Sequence, residues 1–138
     1  MNSNFKFHHI GIATRSIEKS SNIYIKLGYS ASETKTEPTQ HVKIRFLSKE
    51  GSPLLEIIEP LNDEAPISKI VQKSGATPYH TCYEVADILK AVEELEEMNF
   101  RLLFEPLVTN AMEDGLFCYL FSPDTGLVEL YERKEKSL

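Results

Sequence analysis

The stretch FHHIGIA, at residues 7–13, is the feature from which the rest of the chain can be interpreted. Its residues alternate as in a β-strand, with His9 on one face and His8 on the other. A related stretch, YHTCYEV, follows at residues 79–85 and places His80 71 positions after His9. This recurrence indicates that the chain contains an internal repeat.

The repeat extends beyond the two histidines. Ser16 and Asp87 each lie seven residues after their histidine, and both residue types favour the N-cap position of a helix because their side-chain oxygens accept bonds from free amides. Helices are therefore predicted over about 16–27 and 87–98. The ends of the repeats also match, since LLEIIE at residues 54–59 and LVELYE at 127–132 are 73 positions apart.

These matches predict an α+β protein built from one β-α-β-β-β module used twice in tandem. A single domain of 1–138 is expected, with module one at about 5–60, a linker helix within 61–77 and module two at about 78–132. The remaining strands are predicted at 29–33, 41–47, 53–59, 100–104 and 116–121. Polar segments at 34–40 and 105–115 are predicted to be loops.

Composition narrows the possible partners. The chain has 15 Lys and Arg against 21 Asp and Glu, a net charge of −6, which argues against nucleic acid or an anionic membrane as the main partner. No apolar run reaches the roughly 18 residues of a membrane span, and the first residues lead into a strand and not a signal peptide, so a cytoplasmic protein is expected. Cys82 and Cys118 are interpreted as buried thiols.

Glu56 and Glu129 stand in the middle of apolar strands, where an unpaired carboxylate would be costly to bury. For one such residue a solvent-facing position would be the ordinary interpretation. Two carboxylates at matching places, in a repeat that also matches His9 with His80, favour a functional site. Two imidazoles and two carboxylates form a mixed nitrogen and oxygen ligand set for one divalent metal ion, and Ni, Co, Mn, Fe(II) and Zn all remain possible.

Other polar side chains are given different interpretations. His8 is interpreted as a helix-facing or edge residue, because the repeat spacing selects His9, and His41 as loop surface. Glu59 and Glu132 recur as well, but each lies three residues beyond a ligand candidate and so on the opposite face, and they are interpreted as solvated strand ends. Cys82 shares a face with His80 and is interpreted as a small core residue, with a place in the pocket as the alternative.

The motifs HIGIA (9–13), EIIEP (56–60), YH (79–80) and LVEL (127–130) resemble those of the vicinal oxygen chelate superfamily. The resemblance covers roughly residues 7–132, and all four ligand positions are filled. It implies paired modules that form a curved sheet around the metal site. The superfamily includes glyoxalase I, methylmalonyl-CoA epimerase, extradiol dioxygenases and antibiotic-resistance proteins.

Two further segments, QHVKI (40–44) and EPLNDE (59–64), resemble the epimerase branch. This resemblance implies an isomerase that removes a proton next to a thioester carbonyl and forms an enolate that the metal ion stabilises, with Glu129 as both ligand and base. Some epimerases carry an additional glutamate on the strand corresponding to 42–47. This chain has Lys43, Ile44 and Arg45 there, so the second acid–base group has no assignment from the sequence.

Alternative functions come from the same superfamily. Bacterial glyoxalase I enzymes use the same His, Glu, His, Glu order, so the ligands do not separate a lactoylglutathione lyase from an epimerase. An extradiol dioxygenase is disfavoured because that branch uses two histidines and one carboxylate. A non-catalytic drug-binding protein is disfavoured because such members commonly lack the ligands. The resemblance implies a small-molecule partner, an acyl-CoA or a glutathione hemithioacetal or thioester, and a homodimer.

Overall fold

A computed structural model describes residues 3–135 of the chain. These residues form two compact units. The N-terminal unit comprises residues 9–79, and the C-terminal unit comprises residues 80–135 together with 3–8. The predicted α+β class, with a β-α-β order that opens both halves, is confirmed.

The elements of the N-terminal unit are β1 (Lys6–Ala13, of which the residues from His9 belong to this unit), α1 (Ile17–Lys26), β2 (Ser30–Ala31), β3 (Lys35–Glu37), β4 (Val42–Ser48), β5 (Leu55–Pro60) and α2 (Ser68–Ser74). Four of its strands form a path in the order β2-β4-β5-β1, with β3 beside β4. Strand β1 runs parallel to β5, and β4 runs antiparallel to β5. Apolar side chains of α1 and of the sheet face beneath it form the core of this unit, including Ile12, Ile17, Leu47, Leu55 and Ile57.

The elements of the C-terminal unit are β6 (Thr77–Glu84, of which the residues from His80 belong to this unit), α3 (Ile88–Glu96), β7 (Arg101–Leu102), β8 (Leu107–Thr109), β9 (Gly115–Ser122) and β10 (Gly126–Glu132). Their strand order is β6-β10-β9-β7, and β8 pairs with β9, which repeats the arrangement of the N-terminal unit. Strand β6 runs parallel to β10, as β1 does to β5 in the other unit. Its core lies between α3 and the sheet and includes Ile88, Val92, Leu95, Cys118, Leu120 and Leu130.

Both helices begin where the sequence predicts. The Ser16 side chain accepts a bond from the Lys19 amide at the start of α1, and the Asp87 side chain accepts one from the Lys90 amide at the start of α3. The apolar residues Ile88, Ala91, Val92 and Leu95 of α3 are buried, whereas Met98, which lies beyond the helix, is exposed. The linker helix α2 ends at Ser74, and Gly75 follows with a positive φ of 72°.

The two segments predicted as loops each contain a short strand, and these predictions were wrong. Residues 34–40 include β3, and residues 105–115 include β8; each strand is followed by one turn of 3-10 helix. His41 and Glu113 end these turns with φ values of 56° and 55°. The strands were missed because three polar or exposed residues carry no clear alternation, and hydrogen bonds to β4 and β9 decide their conformation.

The predicted strands at 29–33 and 100–104 are also shorter in the structure, at Ser30–Ala31 and Arg101–Leu102. None of the helices within residues 3–135 is long and apolar enough to cross a membrane.

Candidate functional site

The N-terminal unit brings His9 and Glu56 together. In the parallel pairing of β1 with β5, Gly11 lies opposite Glu56, so His9, two residues before Gly11, projects from the same face as the glutamate. The Nε2 atom of His9 lies 3.2 Å from Oε1 of Glu56, and both residues are buried. The imidazole ring also packs edge-on against Phe46 of β4, with ring centroids 5.6 Å apart.

The C-terminal unit contains the equivalent pair. His80 lies on β6 and Glu129 on the adjacent β10, where Glu129 is paired with Cys82. The Nε2 atom of His80 lies 2.9 Å from Oε1 of Glu129, and both residues are again buried. Tyr119 of β9 packs against the His80 ring at a centroid distance of 5.3 Å, which repeats the contact of Phe46 with His9.

Each pair combines one imidazole nitrogen with one carboxylate oxygen in a buried setting. Both atom types are ligands of divalent transition metal ions, and each of the four residues offers one such atom. A buried carboxylate next to a histidine is expected where a cation or a proton is shared between them, because an isolated charge there would be expensive. The donor set of each pair therefore fits a divalent metal ion.

The electrostatic surroundings of the second pair include Cys118, which lies opposite Leu130 on the helix side of the sheet. Burial raises the pKa of the Cys118 thiol to about 12, and the negative charges of Glu129 and Glu105 add to this rise. The thiol therefore stays protonated at neutral pH and is not a nucleophile. At the edge of the same unit, a hydrogen bond from Arg133 lowers the pKa of Glu84.

The remaining predicted positions are distributed as follows. His8 is half-buried on the opposite face of β1 from His9, with its ring 5.2 Å from that of Tyr131. His41 is at the end of a 3-10 turn with a partly exposed side chain, which agrees with its interpretation as surface. Cys82 is fully buried on the face that carries Glu129.

The interpretation of Glu59 and Glu132 as solvated strand ends was wrong. Oε1 of Glu59 accepts a hydrogen bond from the Ile17 amide at 2.8 Å, and Oε1 of Glu132 accepts one from the Ile88 amide at 2.9 Å. Each glutamate thus satisfies a free amide in the first turn of its module's helix, where a negative charge also interacts favourably with the helix dipole. Their recurrence at the 73-residue spacing was the available signal.

Sequence reasoning also missed Phe46 and Tyr119, the aromatic residues that pack on the two histidines. They are 73 positions apart, the same spacing that separates Glu56 from Glu129. Extending the repeat to the next strand would have identified them before the structure was known.

Comparison with known proteins identifies relatives that match most of the chain. Methylmalonyl-CoA epimerase from Mus musculus is 32% identical over 129 residues, covering 91% of this chain and 71% of that protein. Ethylmalonyl-CoA/methylmalonyl-CoA epimerase from Cereibacter sphaeroides is 31% identical and covers 91% and 96%, respectively. These relatives are enzymes, and the likeness extends over nearly all of the chain.

Solved structures show the same fold. A hypothetical protein from Bacillus halodurans superposes with a TM-score of 0.83 at 30% identity, covering 100% of this chain and 99% of that one. A variant of Streptomyces coelicolor methylmalonyl-CoA epimerase in complex with 2-nitronate-propionyl-CoA gives a TM-score of 0.80 at 22% identity, covering 94% and 98%.

A family model described as the glyoxalase/bleomycin resistance protein/dioxygenase superfamily matches residues 8–119, which include three of the four predicted ligands and most of both repeats. The fold and the epimerase relatives agree with this match. The chain therefore belongs to the glyoxalase/bleomycin resistance protein/dioxygenase superfamily, the vicinal oxygen chelate proteins.

Proposed function

We propose that this protein is a divalent-metal-dependent epimerase that removes and returns a proton next to a thioester carbonyl. The observation that carries the proposal is the pair of buried His–Glu contacts at equivalent places in the repeat, His9 with Glu56 and His80 with Glu129. It is supported by epimerase relatives at 31% and 32% identity along 91% of the chain.

The two pairs are proposed to bind the same ion. One pair supplies only two donors, whereas protein sites for transition metals ordinarily use three or four protein ligands. The internal repeat supplies the second pair with the same two residue types on equivalent strands. Together they would provide two nitrogens and two oxygens, a set that suits Ni, Co, Mn, Fe(II) or Zn and leaves positions for substrate oxygens.

The bound ion would act as a Lewis acid towards a carbonyl oxygen, which lowers the barrier to forming an enolate by several kcal/mol. The protein's own contribution is to exclude water and to place a base near the acidic carbon. Glu129 is proposed as this base because it is buried, next to His80, and belongs to the last strand of the second module. Its carboxylate would take the proton and hold it until it is returned or exchanged.

The proposed substrate is a CoA thioester of a branched dicarboxylic acid. The Cereibacter sphaeroides relative is named for ethylmalonyl-CoA and methylmalonyl-CoA, and a structural relative was solved in complex with methylmalonyl-CoA and NH4+. A homodimer in the cytoplasm remains the proposal for the assembly and location of this protein.

Glyoxalase I-type activity is the second candidate function. It is favoured by the order of the proposed ligands along the chain, His9, Glu56, His80 and Glu129, which is the order implied by resemblance to bacterial glyoxalase I. The chemistry is related, since a proton next to a carbonyl is again moved by a base. The substrate would then be a glutathione hemithioacetal.

The decisive experiment is proton NMR in deuterated water with protein reconstituted with nickel or cobalt. Metal-dependent loss of the C2 proton signal of methylmalonyl-CoA is the result expected for the epimerase. Formation of lactoylglutathione from methylglyoxal and glutathione would instead establish the lyase. If neither substrate reacted and the purified protein bound no metal, both functions would be overturned in favour of a non-catalytic binding protein.

A further inference from the structure

Inversion at a carbon next to a carbonyl requires proton transfer on both faces of a planar enolate. One group removes the proton, and a group on the other side returns it. The proposed function assigns Glu129, from the second module, to one side only. If the proposed function holds, a second acid–base group is therefore required in addition to Glu129, and the first module is a source of candidates.

The face of the N-terminal unit that carries the His9–Glu56 pair can be followed from strand to strand. Glu56 is paired with Phe46 of β4, and the ring of Phe46 packs against His9, so these side chains share one face. Ile44, two residues before Phe46, projects to the same face. Strand β3 then continues the face, because Lys35 is the residue paired with Ile44.

Few ionisable side chains occupy this face. The register of β1, β3, β4 and β5 shows which side chains share this face. On the strands of residues 9–60, the only other ionisable side chains on the face of the His9–Glu56 pair are Lys35 and Glu37. Lys43 lies on the opposite face, where it is paired with Glu59 at a distance of 3.1 Å from Nζ to Oε2. It therefore cannot serve the face that carries the ligands.

Lys35 and Glu37 differ in their distance along the strands from Phe46. Lys35 is diagonal to Phe46, and diagonal neighbours on adjacent strands are about 7–8 Å apart, within reach of a long side chain. Glu37 is paired with Val42, four residues from Phe46, which corresponds to about 13 Å along the strand. One oxygen of Glu37 is engaged, since Thr39 donates a hydrogen bond to Oε2 at 2.9 Å, whereas its buried Oε1 atom has no hydrogen-bond partner.

The side chain of Lys35 is half-buried, and within residues 3–135 it has neither an ion pair nor a hydrogen bond. A lysine that is partly removed from water and held by no carboxylate is available to a ligand. Its stem is long enough to extend over Ile44 towards Phe46, the residue that packs on His9. Among the described strands of residues 9–60, Lys35 carries the only amine on that face without an ion-pair or hydrogen-bond partner.

We propose that Lys35 is the second acid–base residue of the site. In one direction Glu129 takes the C2 proton, the electrons of the broken C–H bond move into the enolate, and the Lys35 ammonium donates a proton to C2 from the other face. The products of this step are the inverted thioester, a protonated Glu129 and a neutral Lys35 amine. The opposite direction uses the same two groups with their roles exchanged.

The test measures proton exchange and inversion separately. Each pure epimer of methylmalonyl-CoA is incubated in deuterated water with metal-reconstituted protein, and both deuterium uptake at C2 and conversion to the other epimer are followed. Wild-type protein is expected to do both. In Lys35→Met, inversion should fall by about 100-fold or more, while the epimer whose proton faces Glu129 continues to exchange.

Controls use the same strands. Lys43→Met changes a lysine on the opposite face, and Glu37→Gln changes the other ionisable group on the same face; both should retain inversion within about threefold of wild type. Lys35→Met should bind metal with unchanged stoichiometry, and a small primary amine added to this variant should restore part of the inversion rate. A role that is only structural would not produce that rescue.

Equal loss of exchange and inversion in Lys35→Met, or undiminished inversion, would overturn the assignment of Lys35 while the proposed function stands. A loss of inversion without loss of exchange in Glu37→Gln would transfer the role to Glu37. If wild-type protein exchanged neither epimer, the proposed function itself would fail, and the role of Lys35 would fail with it.

Discussion

At the scale of single residues, substitutions in the two buried His–Glu pairs should affect either metal binding or proton transfer, depending on the residue that is changed. A histidine supplies only a nitrogen ligand, so its removal should reduce metal binding first. A glutamate that is both ligand and base has a second effect, because the proton transfer depends on its charge. Glu129 and His80 are the residues at which these two effects can be distinguished.

Glu129→Gln is expected to abolish epimerisation while the fold is retained, because the amide has nearly the same shape but does not accept a proton at neutral pH. Steady-state rates should fall by at least about 100-fold, and circular dichroism and the unfolding midpoint should stay near those of wild type. Full activity in this variant would remove Glu129 from the mechanism.

His80→Ala is expected to lower the amount of bound metal, because it removes one of the proposed nitrogen ligands next to Glu129. Metal content per chain is measured after dialysis against the metal-free buffer. His41→Ala is the matched control, since the His41 side chain is exposed to 43% and lies in a turn. Equal metal content in the two variants would exclude His80 as a ligand.

Cys118 should resist alkylation in the native protein even in mildly alkaline solution, because burial raises its pKa from the ordinary thiol value of 9.0 to about 12. This raised pKa stabilises the fold fully below about pH 9, and that contribution is lost as the pH rises towards 12. Iodoacetamide labelling followed by peptide mass spectrometry measures the rate. Rapid labelling of native protein at pH 9 would contradict the assignment of a buried, protonated thiol.

At the scale of secondary-structure elements, helices α1 and α3 share a feature beyond their N-caps. Each has a strand glutamate that binds its first free amide, Glu59 for α1 and Glu132 for α3. The strand that carries a ligand candidate therefore also holds the start of the helix on the other side of the sheet.

Glu59→Ala and Glu132→Ala are each expected to lower the free energy of unfolding by about 1 kcal/mol, the usual effect of losing a side chain that caps a helix. Urea unfolding measures the change. Glu50→Ala, in an exposed turn, serves as the control and should change it by less than about 0.5 kcal/mol. If the two cap variants matched the control, these hydrogen bonds would have no net effect on stability.

At the scale of the whole molecule, both halves of the repeat would be stabilised by one bound ion if it is shared. An ion that binds only the folded protein adds about 2.7 kcal/mol when its free concentration is 100 times its dissociation constant. Removing the ion with a chelator should therefore lower the thermal midpoint of wild-type protein by several degrees.

The same chelator should have little effect on the double variant His9→Ala/His80→Ala, in which each pair has lost its imidazole. Differential scanning calorimetry with and without chelator makes this comparison. If chelation lowered the midpoint of the double variant as much as that of wild type, the stabilising ion would bind elsewhere, and the shared site would be wrong.

The sequence by itself determined the repeat, the two helix starts and the pairing of residue types at His9, Glu56, His80 and Glu129. These features depend on local spacing: a strand alternates every two residues, and a helix start needs a short polar side chain before its first turn. The family resemblance was also carried by these short motifs, and the superfamily match confirms it.

Only the tertiary structure decided which faces the shorter strands present. Ala31 of β2 pairs with Leu47 of β4, and Lys35 of β3 pairs with Ile44 of β4. The chain advances four residues from Ala31 to Lys35, whereas β4 advances only three from Ile44 to Leu47. One extra residue is therefore inserted between β2 and β3. Such a bulge reverses the alternation, and it moves Lys35 to the face of the His9–Glu56 pair, where simple alternation from Ala31 would not place it.

The roles of Glu59 and Glu132 were likewise decided by tertiary structure, because their hydrogen-bond partners are 42 and 44 residues away in the chain. Spacing within a strand correctly assigned these glutamates to the face opposite Glu56 and Glu129, but it carried no information about what lies against that face. Long-range pairing sets both the partner and the burial of a side chain, and short-range periodicity sets only its direction.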